Sequence, residues 1–166
     1  MICLKNIIIL LIVIISSYIG VLKSKVYVDR EIELKNFLNA LLFLKNKIEY
    51  TNLVLSDIFK EISDSIYKDK LNVFKQSYLE EGKLRENFEN EILKSKVFLE
   101  EDKSIILDFS SSLGKLNKIS QIKSIEICYE FLIRNLEIAK EEKIKNVKMC
   151  KTLGVVIGLM IGIIFI

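Results

Sequence analysis

Histidine, proline and tryptophan are absent from this sequence of 166 residues, and only six residues are glycine. Without histidine, the chain lacks the side chain that most often acts as a general base or metal ligand near neutral pH. Without proline, no residue forces a break in a helix. No P-loop and no glycine-rich dinucleotide turn is present. We therefore predict a helical protein that is not an enzyme and that holds no metal or cofactor.

The three cysteines, Cys3, Cys128 and Cys150, have no CxxC spacing. Two of them lie at or near the apolar ends of the chain, so that structural filling is the expected role. Lipidation of Cys150 is the alternative.

Charge is missing from both ends of the chain. Residues 6–22 and 152–166 carry none, and Lys5 is the only charged residue outside 23–151. We predict an N-terminal membrane anchor at 1–22, a middle domain at 23–151 and a C-terminal anchor at 152–166. A secretory signal peptide is the alternative for the first run, but no small-residue cleavage site follows it. The second run is short for a hydrocarbon core of about 30 Å, so we expect it to extend upstream past lysines that reach the headgroups.

Basic residues flank the two apolar runs on the side of the middle domain. They are Lys23, Lys25, Arg30, Lys140, Lys143, Lys145, Lys148 and Lys151. The positive-inside rule therefore predicts an integral membrane protein whose middle domain is cytoplasmic. The middle domain holds all 22 acidic residues and all but one of the 25 basic ones. Because the charges nearly balance, we expect no extended basic surface for nucleic acid. Attraction to anionic membrane lipid explains the lysines beside the anchors.

Small residues recur every four positions in both apolar runs. Gly154, Gly158 and Gly162 share one helix face, and Ser16 and Gly20 form a similar pair in the first run. In lipid, small residues let two helix backbones approach closely. Counted from the edges of the middle domain, Gly20 matches Gly154 in depth and Ser16 matches Gly158. We therefore predict that these five residues pack the two spans together, with unselected small residues as the alternative.

The middle domain has helical periodicity throughout. An apolar stripe with 3-4 spacing follows the first run: Leu34, Phe37, Leu41, Leu44 and Ile48. It predicts a helix that continues from the first span and ends at the sequence YTN, 50–52. Shorter helices are predicted at 55–66, 70–79, 84–98 and 100–113.

A last helix follows a predicted turn, with Gly114 as the residue after one helix and Asn117 as the N-cap of the next. Its apolar stripe is Ile122, Ile125, Tyr129, Leu132, Leu136 and Ala139, and nothing stops it before the chain ends. The fold class is all-α, a helical bundle between two transmembrane helices.

Acidic residues cluster in two places, at Glu80–Glu81 and Glu100–Asp102. Lysines lie close to both, so a solvated helix face is a better interpretation than a pair of catalytic carboxylates. Residues 53–98 are expected to lie furthest from the membrane and to be the most acidic part of the chain. We predict that a basic partner surface contacts Glu86 and Glu89 there, with the 113–121 turn as the alternative docking site.

The order of these segments resembles the stage III sporulation protein AB family over nearly the whole length. The resemblance is carried by IEYTNLVLSDIF (48–59), LEEDKSIILDFSSSLG (99–114), Gln121 and KMCKTLGVVIGLMIGIIFI (148–166). The chain departs from the family pattern where a proline usually follows the tyrosine–threonine pair, where Ser110 replaces a glycine and where Asn117 replaces an aspartate.

The resemblance implies a role in a membrane complex built by the mother cell around the developing spore. It also implies a cytoplasmic domain like the helical domains of the type II secretion platform protein. A secretion-type ATPase and other membrane proteins of the complex are the implied partners, and the implied function is a non-catalytic scaffold. A generic membrane-tethered helical adaptor in division or signalling, without an ATPase, is the alternative from another class, and a small pore-former is a third.

Overall fold

The structure, a computed structural model, describes residues 2–64, 72–77 and 83–164. It contains these helices: α1 (Ile2–Tyr50), α2 (Leu55–Asp64), α3 (Asn72–Ser77), α4 (Leu84–Lys94), α5 (Glu100–Ser112) and α6 (Lys118–Ile164). The described part contains no strand, which confirms the predicted all-α class. The ends of the predicted helices 55–66 and 70–79, and the acidic pair Glu80–Glu81, lie outside the described residues.

The first and last helices are much longer than the others, at 49 and 47 residues. Each combines an apolar run and an amphipathic stripe in one unbroken helix, as the absence of proline predicts. α1 ends at Tyr50, and the hydroxyl of Thr51 donates to the carbonyl of Lys47 at 2.6 Å and accepts from the backbone N–H of Leu53 at 3.4 Å. Hydrogen bonds between a threonine side chain and nearby backbone groups offer the backbone an alternative to the helix.

The chain divides into two compact units, which are described separately. The first unit consists of Met1–Glu31 and Ile138–Ile166, and the second of Ile32–Glu137. The first unit therefore contains both apolar runs together with the charged turns beside them. The second unit contains the four short helices and the amphipathic stripes.

The core of the second unit is aromatic. Phe37 of α1 lies 5.7 Å from Phe74 and 5.9 Å from Phe98 between ring centroids. Phe59 of α2 lies 5.0 Å from Phe74 and 5.7 Å from Phe88. These tilted and edge-on pairs are the geometry that aromatic rings prefer. The predicted stripe of α1 supplies the rest of one wall, since Leu34, Phe37, Leu41 and Leu44 are fully buried.

The connection from α5 to α6 follows its predicted chemistry. Gly114 has φ +70, which a residue with a side chain rarely adopts, and it follows the C-cap Leu113. The side-chain oxygen of Asn117 accepts a hydrogen bond of 2.9 Å from the backbone N–H of Ser120. Both predictions, the glycine after α5 and the asparagine N-cap of α6, are confirmed.

The predicted helix 84–98 is too long. α4 ends at Lys94, and Ser95 adopts an extended conformation that directs the chain away from the helix axis. The hydroxyl of Ser95 then accepts a bond from the backbone N–H of Val97 at 3.3 Å. This bend lets Phe98 enter the core, where it is 3% exposed. The helix therefore ends before the apolar periodicity of the sequence does, and Phe98 is buried in the core instead.

Candidate functional site

The two apolar helices of the first unit touch through small residues. The hydroxyl of Ser16 donates a hydrogen bond of 2.6 Å to the carbonyl oxygen of Gly154. A Cβ atom placed on Gly154 would lie 3.2 Å from the Cα of Gly20, so that the two glycines face each other. A Cβ atom on Gly158 would lie 3.2 Å from the Cβ of Ser16. The structure thus brings together Ser16, Gly20, Gly154 and Gly158, and the buried Gly162 continues the same face of α6.

Side chains are sterically excluded at three of these glycines. A Cβ on Gly20 would lie 2.6 Å from the carbonyl oxygen of Cys150, and one on Gly154 would lie 2.9 Å from the carbonyl oxygen of Ser16. A Cβ on Gly158 would lie 2.9 Å from the Cα of Val13. The obstructing atoms belong to the backbone and cannot rotate away. The helices can therefore keep this distance only while these positions remain glycine.

The outer faces of the same helices are apolar and exposed. Leu10, Tyr18 and Met160 are each more than 60% exposed. Two helices, Leu10–Tyr50 and Lys118–Ile163, are long and apolar enough to cross a membrane, and only 11% and 17% of their most apolar windows are buried in the protein. Large exposed apolar patches are rare on water-soluble monomers.

Two ion pairs join α1 to α6 beside the apolar runs. Arg30 Nη1 lies 2.6 Å from Glu142 Oε2, and Lys143 Nζ lies 2.6 Å from Glu31 Oε2. The Arg30 side chain is only 6% exposed, so this pair is less screened by water than an ordinary surface pair. The sequence shows that these residues are charged, but it does not show which of them pair.

The two predicted partner-contact residues, both on α4, have different surroundings. Glu86 is exposed to solvent. Glu89 is half-buried, and its Oε1 lies 2.8 Å from the hydroxyl of Ser110 and 3.5 Å from Nε of Arg85. The Glu86 side chain is thus accessible to another protein, whereas Glu89 is also hydrogen-bonded to α5. Ser110 supplies the hydroxyl for this contact.

The interpretation of Glu100–Asp102 as a solvated face is wrong for its last residue. Glu100 and Glu101 are exposed, but Asp102 is fully buried. One carboxylate oxygen accepts from the backbone N–H of Leu99 at 3.0 Å, and the other accepts from the side-chain amide of Asn135 at 2.7 Å. The first bond closes the N-terminus of α5 and the second joins α5 to α6. Asp102 at the third position of the helix is the available signal, since an acidic residue there commonly caps the helix start.

The remaining cysteines and acidic groups form no metal centre in the part of the chain that the structure describes. Cys128 and Cys150 are free thiols. Burial raises the pKa of the Cys128 thiol to about 12, because the surrounding protein disfavours the thiolate. Cys128 is thus a protonated, unreactive group at neutral pH.

The fold and the packed apolar helices define an all-helical protein with two helices that could span a membrane. The family model of stage III sporulation protein AB matches residues 5–166. The chain therefore belongs to the stage III sporulation protein AB family, and a sporulation-related role fits it. The searches of curated proteins and of solved structures found no match.

Proposed function

We propose that this protein is a non-catalytic scaffold, anchored in the membrane by a helical hairpin, in a secretion-like complex that serves spore formation. The observation that carries the proposal is the contact of Gly20 with Gly154 between two helices whose outer faces are apolar and exposed. Close packing through small residues is the way helices associate in lipid, where burial of apolar surface gives no gain. The second unit would then be held to the membrane by the continuous helices α1 and α6.

The anchoring is tested by membrane fractionation of cells that produce the full chain. The protein should remain in the pellet after extraction with alkaline carbonate and should be released by detergent. Release by carbonate alone would show that the apolar helices do not span the bilayer. Lysine placement supports a cytoplasmic location for the second unit, and membership of the sporulation family supports the mother-cell side.

The proposed partner is a secretion-type ATPase that docks on the exposed face of α4 around Glu86. Carboxylates on an accessible face attract a basic surface and speed its association at low salt. Glu89 lies on the same helix, but its carboxylate also accepts a hydrogen bond from the hydroxyl of Ser110. A test at Glu89 must therefore keep a hydrogen-bond acceptor, which glutamine does and lysine does not.

The docking is tested with the double variant Glu86→Lys, Glu89→Gln in sporulating cells. It should stay in the membrane and lose both co-purification of the ATPase and spore yield. The matched control is Glu101→Lys, Glu100→Gln, which makes the same change in charge on α5 at two exposed residues. Normal co-purification with the α4 variant would exclude this face and move the docking site to the 113–121 turn. Loss with both variants would show that overall charge, rather than this face, governs binding.

A membrane-tethered adaptor without an ATPase partner is the competing function. Under that alternative, purification of the full chain in detergent from sporulating cells yields no secretion-type ATPase, whichever residues are changed.

A further inference from the structure

A groove with a volume of about 600 Å³ runs between α5 and α6 in the second unit. Its apolar lining consists of Ile105, Phe109, Leu116, Ile127 and Phe131, with the buried Cys128 among them. From Ser120 to Phe131 the groove follows α6 for about 16 Å, at about 1.5 Å per residue. Leu116, Ile127 and Phe131 are each more than 40% exposed, so the groove is open to solvent along its length.

The walls of the groove are fixed by polar contacts between the two helices. Near the turn, the hydroxyls of Ser112 and Ser124 are hydrogen-bonded at 2.7 Å. At the far end, Asp102 and Asn135 are joined at 2.7 Å. The groove is therefore formed before any ligand arrives, which lowers the cost of binding.

The end of the groove near the turn is basic. Lys123 lines it, and Lys115 precedes Leu116 in the chain. Both lysines are exposed, and neither pairs with a carboxylate among the residues that the structure describes. The nearest acidic residue on α6, Glu126, is already bound by Lys45 at 2.7 Å. Asp108 is the only carboxylate among the described residues of the lining. This end of the groove thus has two exposed lysines, Lys115 and Lys123, against the one carboxylate of Asp108, and its net charge is positive.

We propose that the α5/α6 groove binds an amphipathic α-helix of a partner protein, with its apolar side chains on Ile127 and Phe131 and its carboxylates beside Lys115 and Lys123. A preformed apolar groove of about three helical turns can receive such a helix. This surface is separate from the exposed face of α4, and it requires neither the ATPase nor the membrane anchor.

Two other occupants fit the surface less well. A bilayer accepts a convex apolar surface, whereas these side chains line a concave one. In a second copy of the chain, Phe59 of α2 and Phe88 of α4 are buried in its own core, so these aromatic side chains are not available to the groove, and pairing through the exposed Ile127 and Phe131 is an outcome of the test.

The test uses full-length protein in nanodiscs of phosphatidylcholine and two synthetic helices of about 15 residues. Both peptides carry leucine at the same i, i+3, i+4 and i+7 positions, and their flanks are glutamate in one and lysine in the other. Fluorescence anisotropy should show that the acidic peptide binds at least tenfold more tightly, and that its affinity falls with salt. Empty nanodiscs provide the blank.

Matched variants locate the binding. Phe131→Ala should weaken the acidic peptide about tenfold, as loss of a central aromatic anchor does. Leu93→Ala, at a residue of α4 that is 55% exposed, should leave it unchanged. Lys115→Glu with Lys123→Glu should reverse the preference between the peptides. Lys35→Glu with Lys96→Glu changes charge equally at exposed lysines away from the groove and should not.

Several results would overturn the proposal. They are equal affinity for the two peptides, no binding of the acidic one, or an equal effect of the control variants. A dimer that dissociates in Phe131→Ala would assign the groove to a second copy. Quenching of a label at Ile127→Cys by brominated phosphatidylcholine would assign it to the bilayer.

Discussion

The hydroxyl of Ser16 and the carbonyl of Gly154 are joined by a hydrogen bond of 2.6 Å across the two apolar helices. This bond forms only because Gly20 and Gly154 allow the two backbones to approach so closely. Serine and glycine thus have complementary roles, since glycine sets the distance and serine supplies the polar contact that operates at that distance.

Enlarging a glycine at this contact should separate the helices. Gly158→Leu places a side chain where even a Cβ lies 2.9 Å from the Cα of Val13. We expect a loss of about 1–3 kcal/mol of helix association and reduced protein abundance. Gly20→Ala should act in the same direction, because the carbonyl of Cys150 leaves no room for its Cβ. Immunoblots of membrane fractions measure the abundance.

The matched control is Leu159→Ile, at a residue of α6 that is 52% exposed. It keeps the volume and the apolar character of the side chain, so abundance should stay at the wild-type level. If Gly158→Leu and Leu159→Ile were tolerated equally, the glycines would be unselected small residues.

The predicted topology requires labelling at exposed residues of the second unit. Ser63 is only 2% exposed and Ser95 is half-buried, so cysteines there would react slowly on either side of a membrane. Ser56 and Ser111 are exposed. In a chain with Cys3→Ser and Cys150→Ser, Ser56→Cys and Ser111→Cys should resist an impermeant maleimide in intact cells and react after lysis. Labelling from outside would reverse the orientation given by the lysines.

Apolar periodicity predicted the core-facing side of a helix correctly. It did not predict the burial of Asp102 or the end of α4, because both depend on contacts with neighbouring helices. The stripe of Leu34, Phe37 and Leu41 is visible because a core-facing helix must repeat apolar residues every three or four positions. Asp102 was not separable from Glu100 and Glu101, since only the position of α6 and Asn135 makes its site a buried one. Likewise, the end of α4 depends on the place that the aromatic core offers to Phe98.

The packing of α5 against α6 should depend on Asp102. Asp102→Ala removes the acceptor for the Leu99 N–H and an acceptor of the Asn135 amide. Loss of a helix cap together with a buried hydrogen-bond partner should cost about 2–4 kcal/mol. Urea unfolding of the detergent-solubilised chain, followed by circular dichroism, measures this loss.

Glu101→Ala is the control for Asp102, because its side chain is the exposed neighbour in the same first turn of α5. Its effect should stay within about 0.5 kcal/mol. Equal unfolding midpoints for the two variants would mean that the buried bonds of Asp102 contribute no net stability.

Burial of the Cys128 thiol should make stability sensitive to alkaline pH. Its pKa is about 12 in the folded chain and about 8.5 for an unfolded thiol. Because the folded pKa is raised, this contribution is fully present below about pH 8.5 and is lost as pH rises toward 12. The loss is about 1.4 kcal/mol per pH unit within that window, because only the unfolded chain gains the thiolate.

Other groups also titrate above pH 9, so the measurement is a comparison with Cys128→Ala. Unfolding by urea at several pH values should show a shallower alkaline decline for that variant than for the wild type. In a chain with Cys3→Ser and Cys150→Ser, iodoacetamide at pH 7.5 should leave Cys128 unmodified until urea is added, because the thiolate is the nucleophile. Parallel alkaline declines, or rapid alkylation of the folded chain, would show that the thiol is accessible to water.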